Sequence, residues 1–147
     1  MKRFRERGVT LLELLTVIMV LGILAAIAIP TYRSYLIRAQ RSDATSALLR
    51  VAAAQEKFYL QNNRYATDDE LDKGPPDGLG IDGSEHGYYQ LSLDDGVDNT
   101  LAFTATAIPV AGGAQATDKD CTSFSIDQAG KRGALKTATD NTPICWR

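Results

Sequence analysis

Residues 9–29 form a run of 21 amino acids in which Glu13 is the only charged side chain. From Leu14 to Ile29 there is no charge at all, and Thr16 is the only clearly polar side chain. At 1.5 Å per residue, a helix of this length covers about 30 Å, the thickness of a bilayer's hydrocarbon core. A helix that is apolar on every side needs lipid or other copies of itself to cover it. The 147-residue chain nevertheless has a mean hydropathy of −0.17, so the remainder is clearly hydrophilic. Its length allows one domain, and 44% hydrophobic with 23% charged residues excludes a wholly disordered, collagen-like or disulfide-dense chain.

Charge divides the chain the same way. Lys2, Arg3, Arg5 and Arg7 against Glu6 give residues 1–8 a net +3, whereas residues 30–147 carry 12 basic and 16 acidic side chains, a net −4. Basic residues beside a spanning segment stay in the cytoplasm, so the N-terminus is expected inside and everything after Pro30 outside the inner membrane. The net acidity argues against a nucleic-acid partner, which calls for a basic excess. Cys121 and Cys145, the only cysteines, fall in the exported part, where an oxidising compartment favours their pairing. Closing that loop is expected to stabilise the fold by ~3 kcal/mol. Two free thiols or half of a metal site is the alternative, but no His or Cys lies at zinc-finger spacing.

The apolar run can be a membrane span, or a cleavable secretory signal cut after Ala28 at an Ala26-x-Ala28 site, which leaves Pro30 at the second position beyond the cut. The other end offers a third possibility. Gly8 stands between the charged leader and the apolar run, and Glu13 follows five residues later. A carboxylate in an apolar helix costs roughly 2.5–3.5 kcal/mol at the bilayer centre and less near an end, so it needs compensation. Cleavage after Gly8 would create an amino group at Val9, opposite in charge to Glu13 and within one helical turn of it, or available to it between subunits. Snorkelling of Glu13 to the cytoplasmic headgroups is the plainer alternative.

The stretch Arg7-Gly8-Val9-Thr10-Leu11-Leu12-Glu13-Leu14-Leu15, followed by the apolar run to Pro30, closely resembles the N-terminal signature of type IV pilins and related pseudopilins. The resemblance covers about the first 60 residues and departs at Val9, where the family commonly has Phe. It implies a leader of residues 1–8, a transmembrane and polymerisation segment of residues 9–29, and a periplasmic globular domain of residues 30–147. It also implies that a prepilin peptidase cuts between Gly8 and Val9 and N-methylates Val9. Glu13 is then the assembly carboxylate that meets a neighbour's terminal amine, and Gly22 and Pro30 are the helix-breaking positions of a locally meltable segment. The implied partners are other pilin subunits in a helical filament and the inner-membrane pilus assembly machinery.

Beyond Pro30, apolar or small residues recur at Tyr32, Tyr35, Leu36, Ala39, Ala44, Ala47, Leu48, Val51, Ala52, Phe58 and Tyr59, which predicts an amphipathic helix reaching about Asn62. Arg33, Arg38, Arg41, Arg50 and Lys57 fall on its polar face and are expected to form a solvated stripe rather than a DNA-binding one. Residues 62–87 read as a long connection rich in turn formers. Asp77, Asp82 and Glu85 do not have the alternation of an EF-hand loop, and His86 is expected as an exposed loop side chain. Three strands are predicted, at 88–93, 101–107 and 123–126, with Tyr89, Leu91, Leu93, Leu101, Phe103, Ala105, Ala107, Phe124 and Ile126 facing inward. Asp94-Asp95-Gly96 predicts a hairpin turn between the first two strands. The expected fold is α+β: a long N-terminal helix on a small antiparallel sheet of three or four strands.

The segment from Cys121 to Gly133, the closing Cys145-Trp146-Arg147 and Asn63-Arg64-Tyr65-Ala66 resemble PilE-type minor pilins. No nucleophile elbow, phosphate loop or metal motif appears, so neither a catalytic residue nor a cofactor is expected. The chain thus reads as a structural, minor subunit of a type IV pilus supporting pilus assembly, twitching motility and adhesion. A type II secretion pseudopilin and a DNA-receptor pilin for natural transformation are the alternatives.

Overall fold

The computed structural model describes residues 9–94, 98 and 100–147. They divide into two compact units, one ending at Leu36 and the other running from Ile37 to Arg147. Helix α1 (Leu11–Asn62) contributes its first turns to the former and its remainder to the latter.

In the first unit α1 begins with a local cap. Thr10 precedes the helix, and its Oγ1 accepts the Glu13 N–H at 3.2 Å, satisfying one of the donors that a helix start leaves without a partner. Every residue from Val9 to Tyr35 is exposed, with Val9, Leu11 and Ile27 at 72%, 83% and 68%. Gly22 and Pro30 both lie within the continuous helix. Proline has no N–H to donate to the preceding turn.

The second unit is a helix on a sheet. Ala44, Ala47, Leu48, Val51 and Phe58 form the buried stripe of α1 at the 3- and 4-residue spacing that places side chains on one face. The stripe begins later than the periodicity implied. Tyr32 and Tyr35 are 62% exposed and Ala39 is also uncovered, because apolar spacing marks a face and not where its cover starts. Asn63, at φ 54°, takes the left-handed conformation that ends many helices, and its N–H donates to the Tyr59 carbonyl at 2.8 Å.

Five antiparallel strands follow in simple order: β1 (Tyr89–Leu93), β2 (Thr104–Pro109), β3 (Ser123–Asp127), β4 (Arg132–Lys136) and β5 (Thr139–Asp140). The predicted alternation of β1 and β3 holds: Tyr89, Leu91, Leu93, Phe124 and Ile126 are buried. Phe103, Ala105 and Ala107 are buried too, but Leu101 is 74% exposed, because β2 starts only at Thr104. The hairpin between β1 and β2 forms through residues 94–103 rather than a tight turn, with the Asp94 N–H donating to the Thr104 carbonyl. Asp95 and Gly96 of the predicted turn lie outside the described residues.

The sheet has more strands than the three or four expected. β4 carries one buried residue, Ala134, in a strand that begins at Arg132 and ends at Lys136, and β5 is two residues long, so neither shows a period. β4 docks because Gly130, at φ 71°, turns the chain, while Asp127 Oδ1 accepts the N–H groups of Ala129 and Lys131. Gly133 then lies opposite Ser125. A Cβ there would come within 2.6 Å of Ser125 Oγ, so only glycine lets the strands approach without a shift.

Candidate functional site

Two parts of the molecule carry side chains beyond those needed for a core: the uncovered start of α1, and a set of buried polar clamps that hold the later part of α1 to the head.

At the start of α1, Val9 and Thr10 precede the first helical residue and Glu13 lies in the first turn. A carboxylate is stabilised there by the positive end of the helix dipole, by about 0.3–1 kcal/mol at an exposed site. Thr10-Leu11-Leu12-Glu13 is the S/T-x-x-E capping signature, a sequence signal beyond the Gly8–Glu13 spacing that also marks Glu13 as a helix-start residue. Gly8, the other half of the expected processing site, lies outside the described residues. Among the described residues, α1 is the one helix long and apolar enough to cross a membrane.

In the head, the Arg41 guanidinium makes a two-pronged ion pair with Asp118, Nε to Oδ2 at 2.7 Å and Nη2 to Oδ1 at 2.8 Å. The two side chains are only 8% and 2% exposed. Arg41 is thus not part of a solvated basic stripe: its charge is neutralised 77 residues away in sequence. Asp118 Oδ1 also accepts the N–H groups of Asp120 and Cys121, so the pair positions the first disulfide cysteine. Gln115 is fully buried. Its Nε2 donates to Gln40 Oε1 at 2.6 Å, and its Oε1 accepts the Tyr89 hydroxyl at 3.0 Å. Burial and the nearby Asp118 charge push the Tyr89 phenol far above its ordinary value. Gln55, inside the apolar stripe of α1, is held by both amide atoms: its Nε2 donates to the Ala66 carbonyl and its Oε1 accepts the Ala66 N–H.

The connection between α1 and β1 is clasped to the helix. His86 is exposed as expected, but it has a partner: its Nδ1 lies 3.1 Å from Oδ1 of the buried Asp43, which also accepts the His86 N–H. Burial raises the Asp43 carboxyl, but hydrogen bonds from Ser84 and His86 outweigh it and leave the carboxyl below its ordinary value. Arg64 pairs with Glu70 at 2.6 and 2.7 Å. The Arg64 hydrogen bonds, against the opposing effect of burial and aided by the Thr67 N–H, bring the Glu70 carboxyl down to about 2.

Cys121 and Cys145 are joined in a disulfide with Cα atoms 5.8 Å apart. It ties the lead-in of β3 to helix α2 (Thr142–Cys145). Beside it, the Trp146 indole N–H donates to the Gly133 carbonyl at 2.8 Å, and Arg132 lies over the Trp146 ring at 5.1 Å. Asp77, Asp82 and Glu85 are exposed. Among the described residues, no group of three or more His, Cys, Asp or Glu side chains is arranged to hold a metal.

A membrane-length helix whose first half is exposed among the described residues, together with a small helix-on-sheet head closed by a C-terminal disulfide, defines a subunit with an apolar segment that no other described residue covers. Residues 3–29 match the family described as the prokaryotic N-terminal methylation motif. Residues 30–125 match the family described as type IV minor pilin ComP, DNA uptake sequence receptor. The chain is 35% identical over 106 residues to a fimbrial protein of Pseudomonas aeruginosa, covering 69% of this chain and 68% of that one. It is 36% identical over 67 residues to type II secretion system core protein G of Pectobacterium carotovorum subsp. carotovorum, covering 46% of this chain and 43% of that one. Its fold is similar to that of the non-core minor pilin PilV of Neisseria meningitidis, with a TM-score of 0.50 and 19% identity over 69% of this chain and 89% of that one. The chain belongs to the type IV pilin family. It is a minor-pilin-like structural subunit and not an enzyme.

Proposed function

We propose that this pilin is a low-abundance subunit of a type IV pilus, released from its leader by prepilin peptidase between Gly8 and Val9. Val9 becomes the N-methylated mature terminus, Glu13 pairs with the terminal amine of a neighbouring subunit, and residues 9–29 pack with their counterparts in the filament. Removing these apolar faces from water or lipid supplies most of the assembly energy, and Glu13 supplies register. Before assembly the subunit crosses the inner membrane once with its N-terminus in the cytoplasm; afterwards it is displayed on the cell surface, where pili serve twitching motility and adhesion. Gly22 and Pro30 mark where the helix yields as the subunit moves from bilayer to filament. The observation that carries this proposal is a span-length helix uncovered on every side, with one carboxylate in its first turn.

Mass spectrometry of the mature protein tests processing: the chain starts at Val9 and carries one added methyl group, and an intact Met1 start or a start at Ile29 overturns it. Glu13→Ala is expected to be cleaved and membrane-held yet absent from sheared filaments, and normal incorporation overturns the registry role. Loss of surface pili in a deletion strain supports pilus membership, whereas loss of exoprotein secretion with pili intact assigns the chain to a type II secretion pseudopilus, in line with its similarity to core protein G.

The match of residues 30–125 to a family described as a DNA uptake sequence receptor favours a second reading, in which the head also binds DNA. Lys131, Arg132 and Lys136 are exposed, and Arg132 lies over the Trp146 ring, although the exported part is net acidic. Gel shift of the detergent-solubilised chain decides it: a complex that forms at low salt, weakens steeply with added salt and is lost in Lys131→Gln/Arg132→Gln supports DNA binding, and no complex at low salt refutes it.

A further inference from the structure

Beyond Glu13, the next charged side chain is Arg33. The interval corresponds to about 30 Å of helix, one hydrocarbon thickness. Arg33 lies between two tyrosines, Tyr32 and Tyr35, each 62% exposed and three residues apart, hence on one face of α1. The other polar side chains in this stretch are already engaged: Thr31 Oγ1 donates to the Ile27 carbonyl at 3.0 Å and Ser34 Oγ to the Pro30 carbonyl at 3.1 Å. The Tyr32 and Tyr35 hydroxyls and the Arg33 guanidinium have no such intrahelical bond among the described residues, and Tyr32 and Arg33 line a shallow apolar groove with Ala28, Ile29 and Leu36. Tyrosine concentrates at membrane–water interfaces, where its ring meets acyl chains and its hydroxyl meets headgroups. An arginine stem lies along apolar surface while its planar head forms paired hydrogen bonds with phosphate.

We propose that Tyr32 and Arg33 form a phospholipid-headgroup site in the leaflet opposite Glu13, with Tyr35 one turn on in the same interfacial band. The site sets the depth of α1 in the bilayer and retains the subunit there before assembly. The occupant is a lipid phosphate with its acyl chain in the adjoining groove: the site continues the apolar span without interruption, and its cation complements the phosphate charge. The proposal rests on the membrane-anchored pilin reading above.

The test uses the full chain, with isotope-labelled tyrosine and arginine, in vesicles of phosphatidylethanolamine and phosphatidylglycerol. Nitroxides are placed either on the headgroup or at the acyl-chain end. The headgroup nitroxide is expected to broaden the Tyr32 and Tyr35 ring signals, identified by Tyr32→Phe and Tyr35→Phe, more than the chain-end nitroxide does. Solid-state dephasing of arginine guanidinium carbon by lipid phosphorus is expected in the wild type and reduced in Arg33→Gln, the remainder coming from the other arginines of the chain. Equal or weaker broadening from the headgroup label, or arginine dephasing unchanged by Arg33→Gln, overturns the site. A chain that fails to sediment with the vesicles overturns the membrane reading itself and the site with it; one that sediments with both tyrosine signals untouched overturns the site alone.

Discussion

Asp118→Ala removes the acceptor of two guanidinium hydrogen bonds and of the Asp120 and Cys121 N–H groups, while the Arg41 side chain stays 8% exposed. The other carboxylate beside it, Asp120 Oδ2, lies 3.8 Å from Nη2 and is half-exposed, too far to replace the lost hydrogen bonds, so the cation's desolvation is no longer offset and the loss is about 3–5 kcal/mol. For a unit of about 110 residues unfolding with about 2.1 cal/mol/K per residue, that lowers the melting temperature by roughly 13–22 °C. Trp146 reports the transition, since it packs against Phe124 and donates to the Gly133 carbonyl within the same unit. The assay is thermal unfolding of the full chain in detergent, followed by tryptophan emission. Arg41→Met/Asp118→Asn removes both charges and keeps an acceptor for the two N–H groups, so it is expected to regain more than half of the loss. The reasoning is refuted if Asp118→Ala costs less than about 1 kcal/mol, the value of an exposed pair, or if the double variant is no more stable than the single one.

Three further outcomes follow from the head. The Glu70 carboxyl falls from its ordinary value to about 2 on folding, so its contribution is fully present above about pH 4.5 and is lost as pH falls towards 2; with Arg64 a third exposed, about 1–2 kcal/mol is expected. Urea midpoints measured at pH 5, 4 and 3 should decline less steeply in Glu70→Gln than in the wild type. Cys121→Ser/Cys145→Ser opens a loop of sequence separation 24 and is expected to cost about 3–4 kcal/mol in the same melt, with the C-terminal residues becoming protease-sensitive first. Gln55→Leu leaves the Ala66 N–H and carbonyl without their partners and is expected to cost about 2–4 kcal/mol by chemical denaturation, although the stripe becomes more apolar.

Much of the anchor is written locally. The 21-residue apolar run and the Thr10 cap are each contained within a short stretch of chain, so a sequence read in order is sufficient to expose them. The same holds for the end of α1 near Asn62 and for the inward faces of β1 and β3, where side-chain period and burial coincide. The disulfide was legible for a different reason: the chain has two cysteines, and each has only the other to pair with.

The polar interior was not legible. Arg41 and Asp118 are 77 residues apart, and His86 and Asp43 are 43 apart. A charged residue on a helix carries no local sign of whether water or a distant carboxylate will neutralise it. Gln55 and Gln115 carry no local sign of burial either, because their partners, the Ala66 backbone and the Tyr89 hydroxyl, come from elsewhere in the chain. β4 and β5 exist because β3 offers a free edge and the disulfide holds α2 beside β4, not because either strand has a period of its own. The sequence alone thus determined that the chain is a long apolar helix joined to a small hydrophilic head. The tertiary structure alone decided which charges are buried, which carboxylates are paired and where the head begins to cover the helix, because each of these depends on groups that meet only after the chain has folded.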